Sequence, residues 1–233
     1  MEFPSVGLIL AAGKGTRMGS LCEYKPKPLL EVAGKSLLEW QVLNFNACGI
    51  KKIGINVHHL SEMMLPSIHK LILLYPHIQF KVSLESKEIL GQAGGINNLI
   101  SEFPDDAFFL SSNTDVFIKL KKLPLSQDLI SLWVIPQKQS NEPFSTIYFH
   151  DQNFEIRKCP DQLNGFFYTG FMAIHKKYFT HMKKDTVYHV VENLWKPNSN
   201  KLFPIVYKNT CLDLGEESKF KNNKKSLNFI LGN

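Results

Sequence analysis

Apolar and polar positions follow two rhythms along the first half of this chain. Val6–Leu10 is an unbroken apolar run of strand length. Leu37–Ala47 instead sets Leu37, Leu38, Val42, Leu43 and Phe45 on a helical stripe that Gly49 closes. Residues 53–57 predict another strand, and Ser61 is the expected cap of a helix carrying Met63, Met64, Ile68, Leu71 and Ile72. Residues 80–84 alternate as a strand does, 94–100 read as a further helix start, and 107–111 as a core strand leading to Asp115. Strand and helix in this order predict right-handed crossovers and a Rossmann-like α/β/α sandwich of three layers around a mostly parallel, mixed sheet. Ligands bind such sheets at the carboxyl ends of strands. The glycine-rich segment 13–17 and Asp115 both follow strands, so both are predicted to face one cleft.

After Asp115 the pattern loosens. Residues 129–135 read as a strand, 145–149 with 155–158 as a small hairpin-like insertion, and 168–174 as a strand around Gly170. Gly170 marks either a strand bend or a place where a ligand comes close.

The segment behind the first strand changes the picture from fold to chemistry. It reads Leu10-Ala11-Ala12-Gly13-Lys14-Gly15-Thr16-Arg17-Met18, with Pro26-Lys27-Pro28 close behind. Gly13 and Gly15 remove side chains where the backbone is expected to turn sharply, and the N–H groups of such a turn and of a following helix start point at an anion. Lys14, Arg17 and Lys27 add positive charge. Two familiar phosphate loops are excluded by spacing. The glycines at 13, 15 and 19 miss the dinucleotide fingerprint by one residue, and Gly34-Lys35-Ser36 ends like a Walker loop but has Leu29 where that loop needs glycine.

Composition narrows the class further. With 233 residues, 44% of them hydrophobic, the chain fills one sizeable α/β domain, read as residues 1–233 without linker or internal repeat. The apolar stretch 68–75 is broken by Lys70 and too short to span a bilayer, and the first residues lack the basic start and small-residue cleavage site expected of a signal peptide. Cys22, Cys48, Cys159 and Cys211 form no CxxC pair, which predicts free thiols and a cytoplasmic protein. The net charge of +6 suits nucleic acid or small anions such as nucleotides. The densest basic run, 219–225, has one interleaved aromatic, Phe220, and reads as a solvated helix face rather than a nucleic-acid surface.

Taken together these segments resemble the sugar-1-phosphate nucleotidylyltransferases. The glycine loop is similar to that family's first motif, and 26–39 to its P-K-P-L segment. Asn113-Thr114-Asp115 is similar to its metal-binding turn, and Leu212-Asp213-Leu214-Gly215 to its late V-D-V-G turn. The resemblance implies the nucleotide-diphospho-sugar transferase fold and a reaction between a nucleoside triphosphate and a sugar 1-phosphate. The sugar phosphate attacks the α-phosphorus in line and pyrophosphate leaves, a transfer that depends on positioning and charge neutralisation. It implies catalytic roles on the phosphates for Arg17 and Lys27, and nucleotide contacts from Leu10, Ala11, Ala12, Gly13, Lys14, Gly15, Thr16, Gln92 and Gly94. It implies sugar-phosphate contacts from Asn113, Gly170 and Lys158, and Mg²⁺ on Asp115 and Asp213. Taken alone, each Asp is equally a loop cap.

Departures from the family pattern matter too. The family's E-K-P is matched only by Lys158-Cys159-Pro160, and the base-contact run reads Leu90-Gly91-Gln92-Ala93-Gly94-Gly95. That wording is closest to short bacterial enzymes acting on N-acetylmuramate or mannose 1-phosphate, which implies UTP or GTP. Two alternatives stay open: cytidylyl transfer to a non-sugar phosphate, and a regulatory relative that binds nucleotide sugar without turnover. A monomer or small homo-oligomer without nucleic-acid or membrane partners is expected.

Overall fold

The computed structural model describes residues 2–137, 145–150, 153–157 and 165–223. Four parallel strands form its centre: β1 (Val6–Leu10), β4 (Lys52–Val57), β5 (Gln79–Leu84) and β6 (Phe108–Asn113), ordered β6-β1-β4-β5. Between β1 and β4 lie the short hairpin of β2 (Glu31–Val32) and β3 (Lys35–Ser36), and helix α1 (Leu37–Ala47). Helices α2 (Ser61–Leu74) and α3 (Gly91–Ser101) connect the following strands.

Beyond β6 the sheet turns antiparallel. Strand β11 (Phe166–His175) pairs with β6, with β8 (Ile130–Pro136) and, through Phe166, with β9 (Thr146–His150). The expected hairpin is present, β9 turning back as β10 (Asn153–Arg157). Strand β12 (Leu202–Val206), which the residue pattern does not reveal, joins β8 in parallel and completes a nine-stranded mixed sheet.

Alternation along the strands explains the layers. On β1, Val6 and Leu8 pack with Ala93, Ile96 and Leu99 of α3, while Ile9 packs with Leu38, Val42 and Phe45 of α1 and Met64, Ile68 and Leu71 of α2. On β6, Phe109 joins the α3 side, and Phe108 and Leu110 the opposite one. Successive side chains of a strand point to opposite faces, so one strand feeds two cores and the sandwich has three layers.

Local chemistry sets the helix ends. Ser36 caps α1 by accepting a hydrogen bond from the Glu39 N–H (3.0 Å), and Gly49 ends that helix at φ +76°. Two expectations need correction. Ser61 is the first residue of α2 rather than its cap; Leu60, at φ +51°, precedes it and supplies no side-chain bond. Helix α3 begins at Gly91, so Gly94 lies inside it rather than at its start. Within α2 only Met64, Ile68 and Leu71 of the expected apolar set are buried; Met63 and Ile72 face outward.

Candidate active site

The glycine segment leaves β1 at the carboxyl edge of the sheet and is tied to its neighbour. Asn56, at the end of β4, accepts a hydrogen bond from the Ala11 N–H (2.7 Å) and donates to the buried Glu85 (2.6 Å). The other Glu85 oxygen accepts from the Leu90 N–H (2.8 Å). Burial pushes the Glu85 carboxyl above the usual range, and these two donors oppose that shift. Gly15, at φ +68°, makes the expected sharp turn, and a Cβ there would press on Cys22 and Lys27 at 3.2 Å. Gly13 keeps an ordinary φ, and a Cβ there would meet nothing within 4 Å, so open space rather than a strained turn surrounds it. The helix expected after the loop is a pair of 3₁₀ turns, Thr16–Cys22, broken at Gly19. So short a segment aligns few peptide dipoles, and positive charge here comes mainly from side chains.

A cleft of about 280 Å³ opens in front of this loop. Leu10, Ala11, Ala12, Gly13, Arg17, Lys27, Gln92, Asn113 and Asp115 line it, with Asn56, Gly91 and Thr114 among their neighbours. The single cleft expected at the strand ends is therefore present. Lys14 and Thr16 are exposed outside its lining, and Gly15 supports the wall from behind. Gly94 is also outside the lining: a Cβ there would lie 2.6 Å from the Thr186 carbonyl oxygen, so its missing side chain serves packing. Lys158 lies outside the described residues.

Lys27 and Asp115 meet at the floor. Pro26-Lys27-Pro28 does not run extended throughout; Pro26 is extended, and Lys27–Leu29 close a 3₁₀ turn. This turn aims the Lys27 ammonium at Asp115 Oδ2, 2.6 Å away, with the two side chains 16% and 5% exposed. Asp115 Oδ1 is buried and accepts no hydrogen bond. A buried carboxylate oxygen without a donor is costly unless a cation or another donor serves it.

The turn holding Asp115 is clamped from beneath. Gln41 of α1 is fully buried, and its amide donates to the carbonyls of Asn113 (2.7 Å) and Val116 (2.9 Å), while its own oxygen accepts from Asn44 (3.2 Å). On the cleft side Gln92 donates to Asn113 Oδ1 (3.2 Å). Gly170, at φ +88° on a bulge of β11, leaves room for that Asn113 amide; a Cβ would come within 2.9 Å of its nitrogen.

A two-stranded ribbon brings the second carboxylate in. β7 (Val116–Phe117) pairs with β13 (Leu212–Asp213), opposing Asp213 to Val116, and the Leu214 N–H bonds the Asp115 carbonyl (2.8 Å). A Cβ on Gly215 would lie 2.5 Å from Asp115 Oδ2, 2.9 Å from Asp213 Oδ1 and 3.4 Å from an Arg17 nitrogen. Both carboxylates and the arginine thus converge on one glycine. Asp213 Oδ1 accepts from the Gly215 N–H (2.8 Å), and its Oδ2 is paired with Lys219 at 3.0 Å. Arg17 is 58% exposed and only 3.5 Å from Glu216, a loose pair that leaves it able to move.

Lys219 corrects the reading of 219–225 as a solvated face. It stands on α4 (Glu217–Asn223) with its side chain 13% exposed, whereas Lys221 faces solvent at 60%; 224 and 225 lie outside the described residues. Gln41, Asn56 and Glu85 also support the site outside every motif named above. Gln41 falls on the apolar stripe of α1 and Asn56 inside an apolar strand, and a polar residue on a buried face signals a hydrogen-bonding duty.

The donor set fits a hard divalent cation. Two carboxylates at one point, one with an unserved oxygen, match an ion that keeps most of its shell for water and phosphate. Among the described residues there is no group of three or more His, Cys, Asp or Glu that could hold a metal. Cys22, Cys48 and Cys211 are free thiols whose pKa burial raises, to about 11 for Cys48 and about 12 for Cys211. Among the described residues no helix is long and apolar enough to cross a membrane.

Comparison with known proteins finds similar chains. Residues 7–120 match the family described as MobA-like NTP transferase domain. The N-acetylmuramate alpha-1-phosphate uridylyltransferase of Caulobacter vibrioides is 27% identical over 118 residues, 51% of this chain and 49% of that protein. The D-glycero-alpha-D-manno-heptose 1-phosphate guanylyltransferase of Campylobacter jejuni is 29% identical over 149 residues, 64% of this chain and 65% of that protein. The matches therefore span about half to two thirds of these relatives' lengths. In shape, the inositol-1-phosphate CTP transferase from T. maritima superposes with a TM-score of 0.78 at 17% identity, covering 99% of this chain and 98% of its own. The sheet and its helices are thus those of the nucleotide-diphospho-sugar transferase fold.

Proposed function

From a chain whose residues 7–120 match the MobA-like NTP transferase domain, and whose relatives are named as sugar-1-phosphate nucleotidylyltransferases, we propose the corresponding activity. The protein joins a nucleoside triphosphate, UTP or GTP, to a sugar 1-phosphate, giving a nucleotide sugar and pyrophosphate. The observation that carries this reading is Asp115, buried at the cleft floor with Lys27 on one oxygen and no donor on the other.

The residues divide the work. Backbone at Leu10 to Gly13, with Gly91 and Gln92 opposite, forms the wall against which the nucleotide lies. Arg17 and Lys27 hold phosphate oxygens: Arg17 from the exposed rim, Lys27 from the floor. Asp115 and Asp213 would hold Mg²⁺, which neutralises charge on the reacting phosphates and so favours attack. Asn113, kept in place by Gln92 and by the space at Gly170, presents its amide to the sugar-phosphate side. An oxygen of the sugar phosphate forms a bond to the α-phosphorus as the bond to the bridging oxygen of pyrophosphate breaks. The departing pyrophosphate takes the electron pair, and Arg17 and Lys27 carry its charge. No covalent enzyme intermediate is needed. Residues 1–233 act as one catalytic unit, and the free thiols suit a reducing cytoplasm.

The test is pyrophosphate release with Mg²⁺, crossing UTP, GTP, CTP and dTTP against glucose, mannose, N-acetylglucosamine, N-acetylmuramic acid and heptose 1-phosphates, with inositol 1-phosphate beside them. Release with UTP or GTP and one sugar phosphate is the expected result. Release only with CTP and inositol phosphate would replace the sugar reading, and nucleotide binding without release anywhere would replace it with a regulatory one.

A further inference from the structure

We propose that Lys219 is a second exchangeable lysine of the site, one that neutralises Asp213 until a metal arrives and then transfers to a phosphate oxygen of the substrate. This rests on the nucleotidyl-transfer reading above and assigns a role to a residue outside it. Two carboxylates that converge on one point repel each other unless each has its own cation. The structure supplies that arrangement twice. Lys27 sits 2.6 Å from Asp115, and Lys219 sits 3.0 Å from Asp213, each largely shielded from water.

Lys219 is built for exchange. Its backbone is anchored because the adjacent Phe220 is buried against Met18, Leu21 and Cys22, and the Phe220 N–H bonds the Glu216 carbonyl (2.8 Å). Its ammonium, on a flexible four-carbon stem, pairs with the Asp213 carboxylate at the rim, with Glu216 a further partner at 3.9 Å. The surroundings of Gly215 hold Asp115, Asp213 and Arg17 together, so phosphates bound there lie within the sweep of that stem. A divalent cation taking Asp213 must displace the lysine and would leave an excess of positive charge. A polyphosphate removes that excess by accepting both displaced lysines. Metal and polyphosphate binding are therefore coupled through Lys219.

The competing account is that the pair ties α4 to the ribbon β7–β13 and does nothing more. Mn²⁺ binding followed by electron paramagnetic resonance, with and without pyrophosphate, separates the two in the wild type, K219M, K219Q and K219R, with thermal melts alongside. Losing the competing ammonium should tighten Mn²⁺ alone by about five- to tenfold in K219M and K219Q. The factor by which pyrophosphate tightens Mn²⁺ should fall about tenfold in both, and K219R should restore much of it. Wild-type Mn²⁺ affinity and coupling in the two neutral variants, with only lower melting temperatures, would overturn the proposal alone. A wild-type protein that binds no Mn²⁺, with or without pyrophosphate, would overturn the metal reading and this proposal with it.

Discussion

Both amide hydrogens of Gln41 point at the carbonyls that bracket Asp115, and this decides where the carboxylate faces. Gln41→Leu keeps the approximate volume but leaves the Asn113 and Val116 carbonyls and the Asn44 amide unserved. The expected loss is about 2–4 kcal/mol in urea unfolding. The Mg²⁺ concentration giving half-maximal turnover should also rise about tenfold as the Asp115 turn loosens. An unchanged Mg²⁺ midpoint beside reduced stability would mean that Gln41 serves packing only. At this scale the sequence is legible where a residue type and its motif speak together, as with Asp115, Lys27 and Arg17. Lys219 was illegible for a physical reason. Its pairing depends on α4 folding back over β13, and nothing in a run of lysines tells which one will be buried.

Among elements, the central strands β1, β4, β5 and β6 and helices α1 to α3 are readable because each is long enough to show its period. The helix over Leu37–Ala47 has the bounds its apolar stripe predicts. Ribbon β7–β13 has two residues per strand, too few for any periodicity, yet it is what sets Asp213 against the Asp115 turn. The turns of 176–201 mix 3₁₀ and π geometry and follow neither helical nor strand spacing. In helix α3 the motif glycine Gly94 packs closely against neighbouring backbone. The first turn of the helix already has an acceptor, since the N–H groups of Ala93 and Gly94 bond the Tyr188 carbonyl at 3.1 and 3.2 Å. Gly94→Ala should therefore act through packing, because its Cβ meets backbone at Thr186 and Tyr188 that cannot yield like a side chain. The expected cost is about 1–3 kcal/mol by thermal melting. Nucleotide affinity of the folded protein should stay within about twofold. An unchanged melt with lost nucleotide affinity would return Gly94 to the nucleotide site.

For the molecule as a whole, the parallel strands deliver the glycine loop, Asn56 and Asp115 to one edge, and the antiparallel half adds Gly170. The net charge of +6 suits a protein whose substrates are polyanions. At the cleft and beside it the balance is local: Lys27 and Arg17 of the lining, with neighbouring Lys219, face Asp115, Asp213 and Glu216. The fold class, the cleft and its principal charges could be argued from residues alone. The resting pairs could not: Lys27 and Asp115 lie 88 residues apart, and Lys219 meets Asp213, only six residues away, through the way α4 packs. The central claim is that Asp115 carries the divalent cation for nucleotidyl transfer. The most direct measurement is Mg²⁺-dependent pyrophosphate release by the wild type and Asp115→Asn, at equal folded fraction by circular dichroism. The account predicts a loss of about a hundredfold or more in the variant with its fold retained. Turnover at the wild-type rate would contradict it.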